Sequence, residues 1–173
     1  GLVYLVSIAA MTLILSFGKL NFFNSLLMSV SAISTGGFTA NSALLGDDYV
    51  QWVLVMGMIV AGVSFLIVWR MVKGRFTSAL HSSEFQTYAT LIIVSSILFY
   101  LWTNAEPESS IRQSLLFVSS AISTTGFHFS PFGNWSVAVS FLLLLLITIG
   151  PMSLSSGGGF QIIRLRILLS VSI

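Results

Sequence analysis

The chain has 173 residues, a formal net charge of +2 and no cysteine. Charged residues make up 7% of it and hydrophobic residues 55%, so it has too few charges to cover a surface that faces water. Ordinary soluble domains carry about 25% charged residues. The composition therefore predicts a membrane protein. The small net charge argues against a nucleic-acid partner, and the absence of cysteine excludes disulfides and thiolate metal sites.

The chain contains four long apolar segments and two short ones. The long segments cover residues 2–17, 49–69 and 85–102, and the last begins near Ser136. Each is predicted to span the membrane, because a span needs about 20 residues. The short segments, residues 22–33 and 110–122, would be helices of roughly 18 Å, too short to cross about 30 Å of hydrocarbon. We expect them to enter the bilayer and return, with start caps among Asn24, Ser25, Ser109 and Ser110.

The two short segments belong to a repeat. Residues 25–38 align with residues 114–127 without a gap, and ten of the fourteen positions are identical. Repetition at a fixed spacing, here 89 residues, indicates two copies of one structural unit. The repeat predicts an all-α membrane protein with two tandem units, residues 1–76 and residues 77–173, each ordered as helix, short helix, turn and helix.

Each short helix ends in a polar turn whose backbone suits a cation. Non-helical backbone at membrane depth exposes carbonyl groups that must find partners, and a ring of carbonyls can replace the hydration shell of a potassium-sized ion. Glycine lets successive carbonyls point the same way, and the negative end of a helix favours a cation. One such cluster is usually just a helix terminator, but two copies after helices too short to span predict a cation site. The turns are Ser34-Thr35-Gly36-Gly37-Phe38 and Ser123-Thr124-Thr125-Gly126-Phe127, in which both phenylalanines would wedge the turn against the surrounding helices.

The last apolar segment is interrupted by Gly150-Pro151 and by residues 155–159. Glycine costs a helix about 1 kcal/mol and proline about 3 kcal/mol. A helix that only anchors the chain in the membrane would have no reason to keep residues that destabilise it. A broken helix at membrane depth typically supplies free backbone groups and mobility to a transport path. The alternative is a kinked packing helix. We expect the break in the second unit alone, because residues 60–69 of the first contain only Gly62.

The placement of charges predicts the orientation. Basic residues follow the second and the last long segments on one side, which the Lys/Arg bias places in the cytoplasm: Arg70, Lys73, Arg75, Arg164 and Arg166. The polar turns then lie toward the outside, on the side that holds four acidic residues: Asp47, Asp48, Glu106 and Glu108. Asp47 and Asp48 either concentrate cations at the entrance or belong to a merely solvated loop.

The whole pattern resembles the Trk/Ktr/HKT superfamily of potassium (and sometimes sodium) transporters, whose membrane subunits contain four non-identical repeats of helix, pore helix, filter turn and helix. The two units resemble the second and third of the four. The resemblance thus implies a piece of a longer polypeptide, as does the start at Gly1 inside an apolar run. It also implies that K⁺ binds the backbone carbonyls of a selectivity filter: Ser34, Thr35, Gly36, Gly37, Ser123, Thr124, Thr125 and Gly126.

The resemblance also implies a gate below the filter, formed by Ser153, Ser155, Ser156, Gly157, Gly158 and Gly159. The chain departs from the family there, which usually has glycine, cysteine or alanine where Pro151-Met152 stand, and lysine in place of Gln161. Further implications are a multi-pass location in the plasma (inner) membrane, homodimers and a cytosolic nucleotide-binding regulatory subunit. No organic cofactor is expected.

Potassium transport is the leading hypothesis, and several rivals remain. Glycine at Gly37 and Gly126 is the potassium-type choice, whereas sodium-selective members of the family carry serine in their first repeat. A sodium-conducting or non-selective member of the same family, or a non-conducting scaffold module, are the alternatives. A transporter with inverted repeats is disfavoured because the two copies run in the same direction. An intramembrane enzyme would need paired aspartates or a Ser/His pair inside the membrane, so we expect no enzyme.

Overall fold

The computed structural model describes residues 1–18, 20–39, 45–74, 81–103, 111–127 and 136–171. The predictions made for Arg75, Glu106, Glu108, and Ser109 or Ser110 as a cap lie outside the described residues. Within the described ranges the regular secondary structure is helical, in agreement with the all-α prediction. The helices are α1 (Leu2–Ser16), α2 (Phe22–Ile33), α3 (Asp48–Gly62), α4 (Phe65–Val72), α5 (Ser83–Thr103), α6 (Ile111–Ile122), α7 (Val137–Ile149) and α8 (Ile162–Val171).

The short helices have the predicted length. Both α2 and α6 contain 12 residues, which is too few to cross a bilayer. The start of α2 differs from the prediction, because its cap is Asn21, without a side-chain hydrogen bond. Asn24 and Ser25 instead lie inside the helix, where the Ser25 amide donates to Asn21 O at 3.0 Å and its side chain is fully buried.

Among the described residues, one helix, α5, is long and apolar enough to cross a membrane unaided. Helices α3 and α4 meet the same test only as a pair, and they are bent by 106° at their junction. Helices α1, α2, α6 and α7 are shorter apolar helices. The helix α7 begins close to the expected position, with the Ser136 hydroxyl accepting from the Val139 amide.

The prediction of one uninterrupted helix over residues 49–69 is wrong. The chain becomes extended at Val63 and Ser64, with ψ of 141° and 129°. The polar groups freed at the bend bond to the segment that follows α7: the Met152 amide donates to Gly62 O at 3.1 Å, and the Phe65 amide donates to Leu154 O at 3.1 Å. The expectation that only the second unit is interrupted is therefore also wrong. The backbone polar groups freed at this bend find their partners in a segment that is remote in sequence, so the local sequence does not predict the bend.

The two halves of the chain share their cores. Helix α6 packs on α5 and α7 of its own half and also on α3 of the first half. Leu116 of α6 and Phe127 join a buried cluster formed otherwise by the first half, including Met28, Leu54 and Met58. The second short helix is thus held between the two halves.

A polar contact ties the start of α6 to the start of α3. Arg112 forms an ion pair with Asp48 at 2.6 Å and donates from Nε to Gln51 Oε1 at 2.7 Å. The Gln51 side chain is buried and donates in turn to Leu45 O at 2.7 Å. The Asp48 side chain is 70% exposed, so we expect the buried amide rather than the ion pair to carry most of the stabilisation.

Arg112→Met in the full-length polypeptide is expected to lower the free energy of unfolding by about 1–3 kcal/mol, because it leaves the buried Gln51 oxygen without its donor. Asp48→Asn is the matched control and should cost no more than about 1 kcal/mol, since it removes only an exposed ion pair. Thermal unfolding of the protein in detergent compares the two variants. A larger loss for Asp48→Asn would contradict this account.

Candidate functional site

The two polar turns adopt the same backbone conformation. Thr35 and Thr124 have φ of 55° and 58°, and Gly37 and Gly126 have φ of 69° and 85°. Hydrogen bonds repeat at the same offset: the Gly36 amide donates to Ser31 O at 2.8 Å, and the Thr125 amide donates to Ser120 O at 3.0 Å. The sequence repeat is therefore also a repeat of local geometry.

The threonines of both turns are held in a strained conformation. A β-branched residue at positive φ is a genuine outlier, and such strain costs about 1–3 kcal/mol for each residue. Residues of this kind persist only where the surroundings over-determine them, and they cluster at functional sites. The same outlier at Thr35 and Thr124 is thus an argument, independent of the glycines, that the turns have a function.

The two turns lie against each other. A Cβ atom added to Gly37 would collide with the carbonyl oxygen of Thr125 and would lie 3.3 Å from the carbonyl carbon of Gly126. A Cβ atom added to Gly126 would have no atom within 4 Å. Gly37 is therefore needed for the close approach of the two backbones, whereas Gly126 faces open space.

The eight predicted filter residues differ in exposure. Ser123 and Thr125 are buried, and their hydroxyl groups bond to each other at 2.7 Å. Ser34 and Gly126 are exposed, whereas Thr35, Gly36, Gly37 and Thr124 are half-buried. The more open of the two turns is the first.

The expected packing of the two phenylalanines holds for one of them. Phe127 is 2% exposed and lies in the cluster that the first half provides. Phe38, at the equivalent position, is 76% exposed and borders a groove of about 380 Å³ along α2. The prediction for Phe38 is wrong within this chain, because the described residues provide no equivalent of the neighbour that covers Phe127.

The segment between α7 and α8, residues 150–161, leaves the helix and returns to it. The Phe160 amide donates to Thr148 O at 3.0 Å and the Gln161 amide donates to Ile149 O at 2.8 Å. Gly150 and Gly159 both have positive φ and lie in contact where the ends of the segment meet. We call residues 150–161 the interrupting loop.

The interrupting loop touches both polar turns. The Gly158 amide donates to Thr124 Oγ1 at 2.8 Å, and the Thr35 hydroxyl donates to Ser156 O at 3.2 Å. The Ser156 hydroxyl donates to Ile33 O at 2.7 Å, at the end of α2. A Cβ atom added to Gly157 would lie 2.7 Å from Ser123 O. Three of the six predicted gate residues, Ser156, Gly157 and Gly158, therefore meet the predicted filter directly, while the Ser155 hydroxyl bonds inside the loop, to Met152 O at 2.7 Å.

The acidic pair at the start of α3 has structural partners. The Asp47 carboxylate accepts from the Tyr49 amide at 3.0 Å as a helix cap, and Asp48 pairs with Arg112. These contacts do not test whether the two residues concentrate cations or belong to a merely solvated loop. They show that both carboxylates also stabilise helix ends.

Comparisons with known proteins give relatives of one kind. The chain is 28% identical over 160 residues to the Trk system potassium uptake protein TrkH of Halomonas elongata, and 25% identical over 178 residues to TrkH of Escherichia coli K12. These matches cover 87% and 96% of the chain. A cation transporter of Methanocaldococcus jannaschii is 30% identical over 169 residues, or 96% of the chain. No family model matches the chain.

A solved structure has the same fold. The crystal structure of the potassium transporter TrkH from Vibrio parahaemolyticus superposes with a TM-score of 0.88 over 97% of this chain, at 21% sequence identity. The chain is homologous to the membrane subunits of Trk-type potassium transporters. It spans about a third of the length of the relatives it matches, between 33% and 38%.

One residue that contacts the interrupting loop escaped the sequence analysis. Glu84, in the first turn of α5, accepts from the Ser153 amide of the interrupting loop at 2.6 Å. The available signal was a single acidic residue at the start of an otherwise apolar segment. Nothing in the sequence pattern pairs it with a residue 69 positions away.

The contact between the two polar turns predicts different outcomes for two glycine substitutions. Gly37→Ala should prevent the two turns from meeting, because the new Cβ atom collides with backbone that has no flexible side chain to move. Gly126→Ala meets only the strain of its positive φ, about 1 kcal/mol. In the full-length polypeptide, we expect Gly37→Ala to lower the midpoint of thermal unfolding in detergent more than Gly126→Ala does. The reverse order would contradict the close contact between the turns.

Proposed function

We propose that this chain forms part of a potassium-conducting path, in which the backbone carbonyls of residues 34–37 and 123–126 bind the ion as a selectivity filter. The single observation that carries the proposal is the contact between two turns with the same strained backbone, at Gly37 and Thr125. Carbonyl rings of this kind replace the hydration shell of K⁺ without any fixed charge.

The helices behind the turns suit a cation. Helix α2 ends at Ile33 and α6 ends at Ile122, so each turn follows the carboxyl end of a short helix. That end carries a partial negative charge from the aligned peptide dipoles, which attracts a cation without binding it so tightly that it cannot leave. Among the described residues, no group of three or more His, Asp or Glu side chains could hold a metal ion, so the proposal rests on backbone oxygens.

A complete ring needs neighbours beyond those that the described residues supply. Phe127 is buried by the first half, and α6 packs on α3. If a preceding repeat packs in the same way, its equivalent of α3 would cover the groove beside Phe38. This supports the proposal that a preceding repeat of the same polypeptide covers α2, and that residues 1–76 and 77–173 are two of four repeats. Pairing of two copies of this chain is the alternative.

The interrupting loop is proposed to be the gate. Its residues Ser156, Gly157 and Gly158 lie against both turns, where a loop would block an ion that leaves the filter. The rival, a kinked packing helix, does not account for hydrogen bonds from this loop to residues of the filter itself. In this proposal the structure represents a closed state.

Potassium is the proposed ion because several relatives are named as potassium uptake proteins, and because both turns carry glycine at the filter position. Sodium conduction, poor selectivity and a non-conducting scaffold are the rival outcomes. A multi-pass location in the plasma membrane, with the turns outward and Arg70 and Lys73 in the cytoplasm, belongs to the same proposal. The homodimer and the nucleotide-binding regulatory subunit stay predictions from the resemblance.

Uptake of radioactive rubidium by vesicles that contain the full-length polypeptide tests the proposal. We expect uptake well above that of empty vesicles, with excess K⁺ competing more strongly than excess Na⁺. Gly126→Ser should reduce the preference for K⁺ over Na⁺ by about tenfold, because it alters the spacing of the carbonyl ligands. Uptake no greater than in empty vesicles would favour the scaffold, and equal competition by both ions would favour a non-selective channel.

Two neighbouring glycines test the gate. Gly157→Ala should raise rubidium uptake, because its Cβ atom would collide with Pro151 and Ser123 O and push the loop away from the second turn. Gly158→Ala is the matched control, since its Cβ atom would lie 3.7 Å from Thr124 Oγ1, an ordinary contact. Equal uptake by the two variants would argue against a gate at this position.

A further inference from the structure

The Glu84 carboxylate holds the interrupting loop at Ser153, a different position from the residues that contact the polar turns. It accepts from the Ser153 amide at 2.6 Å. Glu84 is half-buried and belongs to the first turn of α5, the longest helix of the described residues. The loop therefore has a charged anchor on a rigid element that is separate from the proposed filter.

We propose that Glu84 is a positioning residue that latches the interrupting loop in its closed position. The proposal rests on the proposed gate, and it adds the element that decides how readily the gate leaves the filter. Breaking the bond between Glu84 and Ser153 shifts the loop toward a position away from Thr35 and Thr124.

The chemistry of the contact suits a latch. Hydrogen bonds to an ionised carboxylate are stronger than those between neutral groups, and the Ser153 amide donates directly to Glu84 Oε1. The carboxylate also lies in the first turn of a helix, where the partial positive charge of the helix end favours it. The bond uses the backbone amide of Ser153, so any residue except proline at position 153 can form it.

The loop is held at two separate places, and both contacts oppose its movement. Ser156 and Gly158 bond to Ile33, Thr35 and Thr124 at the turns, whereas Ser153 bonds to Glu84. Helix α5 packs on α6 and α7, so it stays in place when the loop moves. A loop that leaves the turns as a unit must therefore also leave Glu84.

A cavity beside Glu84 receives the carboxylate once it is released. This cavity, of about 470 Å³, lies between the start of α5 and α8 and is also lined by Arg166. The released carboxylate thus remains in a space that contains a cation, and opening does not leave a charge isolated in an apolar environment.

Thiol labelling measures the latch without ion transport. Ser153→Cys keeps the backbone amide and introduces a thiol into the loop of a chain that has no native cysteine. In the full-length polypeptide, with cysteines beyond this chain replaced, Glu84→Ala should increase the labelling rate at position 153 by about tenfold, the size expected for losing a hydrogen bond to a charged group. Glu84→Gln, which keeps an acceptor oxygen but not the charge, should give a smaller increase.

Three controls make the labelling result specific. Lys73→Cys, on the exposed end of α4, should react at the same rate with and without the Glu84 substitutions. Gln86→Ala, an exposed neighbour on α5, should leave labelling at position 153 unchanged. If Glu84→Ala does not fold, as judged by gel filtration, the labelling rate at position 153 in the isosteric Glu84→Gln variant tests the proposal instead. Labelling at position 153 that is unchanged in the folded Glu84 variants would overturn the proposal.

Rubidium uptake separates this proposal from the proposed function. Uptake by Glu84→Ala vesicles several-fold above that of the parent supports the latch, and uptake equal to or below the parent contradicts it. If the parent itself takes up no rubidium, the proposed transport function fails. The labelling result then still shows whether Glu84 holds the loop.

Discussion

Every element of this fold is constrained by the need to satisfy backbone polar groups away from water. Non-helical backbone is tolerated at membrane depth only where protein or a watery cavity supplies partners. Three non-helical stretches meet here: the two polar turns and the bend between α3 and α4. The interrupting loop bonds to all three, through Met152 to Gly62, Ser156 to Ile33 and Gly158 to Thr124. The interrupting loop thus supplies hydrogen-bond partners to the other three non-helical stretches.

The sequence was sufficient for features that rest on local patterns. The length of α2 and α6 follows from apolar segments bounded by polar turns, and the end of α7 at Ile149 follows from Gly150-Pro151. The repeat at an offset of 89 residues predicted two similar turns, because equal sequence in an equal setting adopts equal backbone. The positive φ of Thr35 and Thr124 was not predictable from propensity, since β-branched residues avoid it.

Features that depend on remote partners escaped the sequence analysis. Gly62 is the one helix-breaking residue beside Val63 and Ser64, and the bend there exists because Met152, Leu154 and Ser156 occupy its free backbone groups. The bond between Glu84 and Ser153 likewise joins positions 69 residues apart. Phe38 and Phe127 have the same local sequence but opposite exposure, because burial depends on the neighbouring repeat. The local sequence pattern therefore predicted the helices, whereas the bend between α3 and α4 and the burial of Phe127 depend on tertiary contacts.

The same constraint bears on how such a loop can move. Withdrawal of the interrupting loop removes the donors that now bond to Ala61 O, Gly62 O and Ile33 O. If no water replaced the loop, each carbonyl would lack a hydrogen bond, at a cost of about 1–3 kcal/mol. An open ion path, however, contains water, and water can donate to the same carbonyls. If the loop is the gate we propose, its closed state satisfies these groups with protein and its open state would satisfy them with solvent. The balance between them is then set by bonds that have no equivalent in the open state, of which a fixed carboxylate on a backbone amide is the strongest kind.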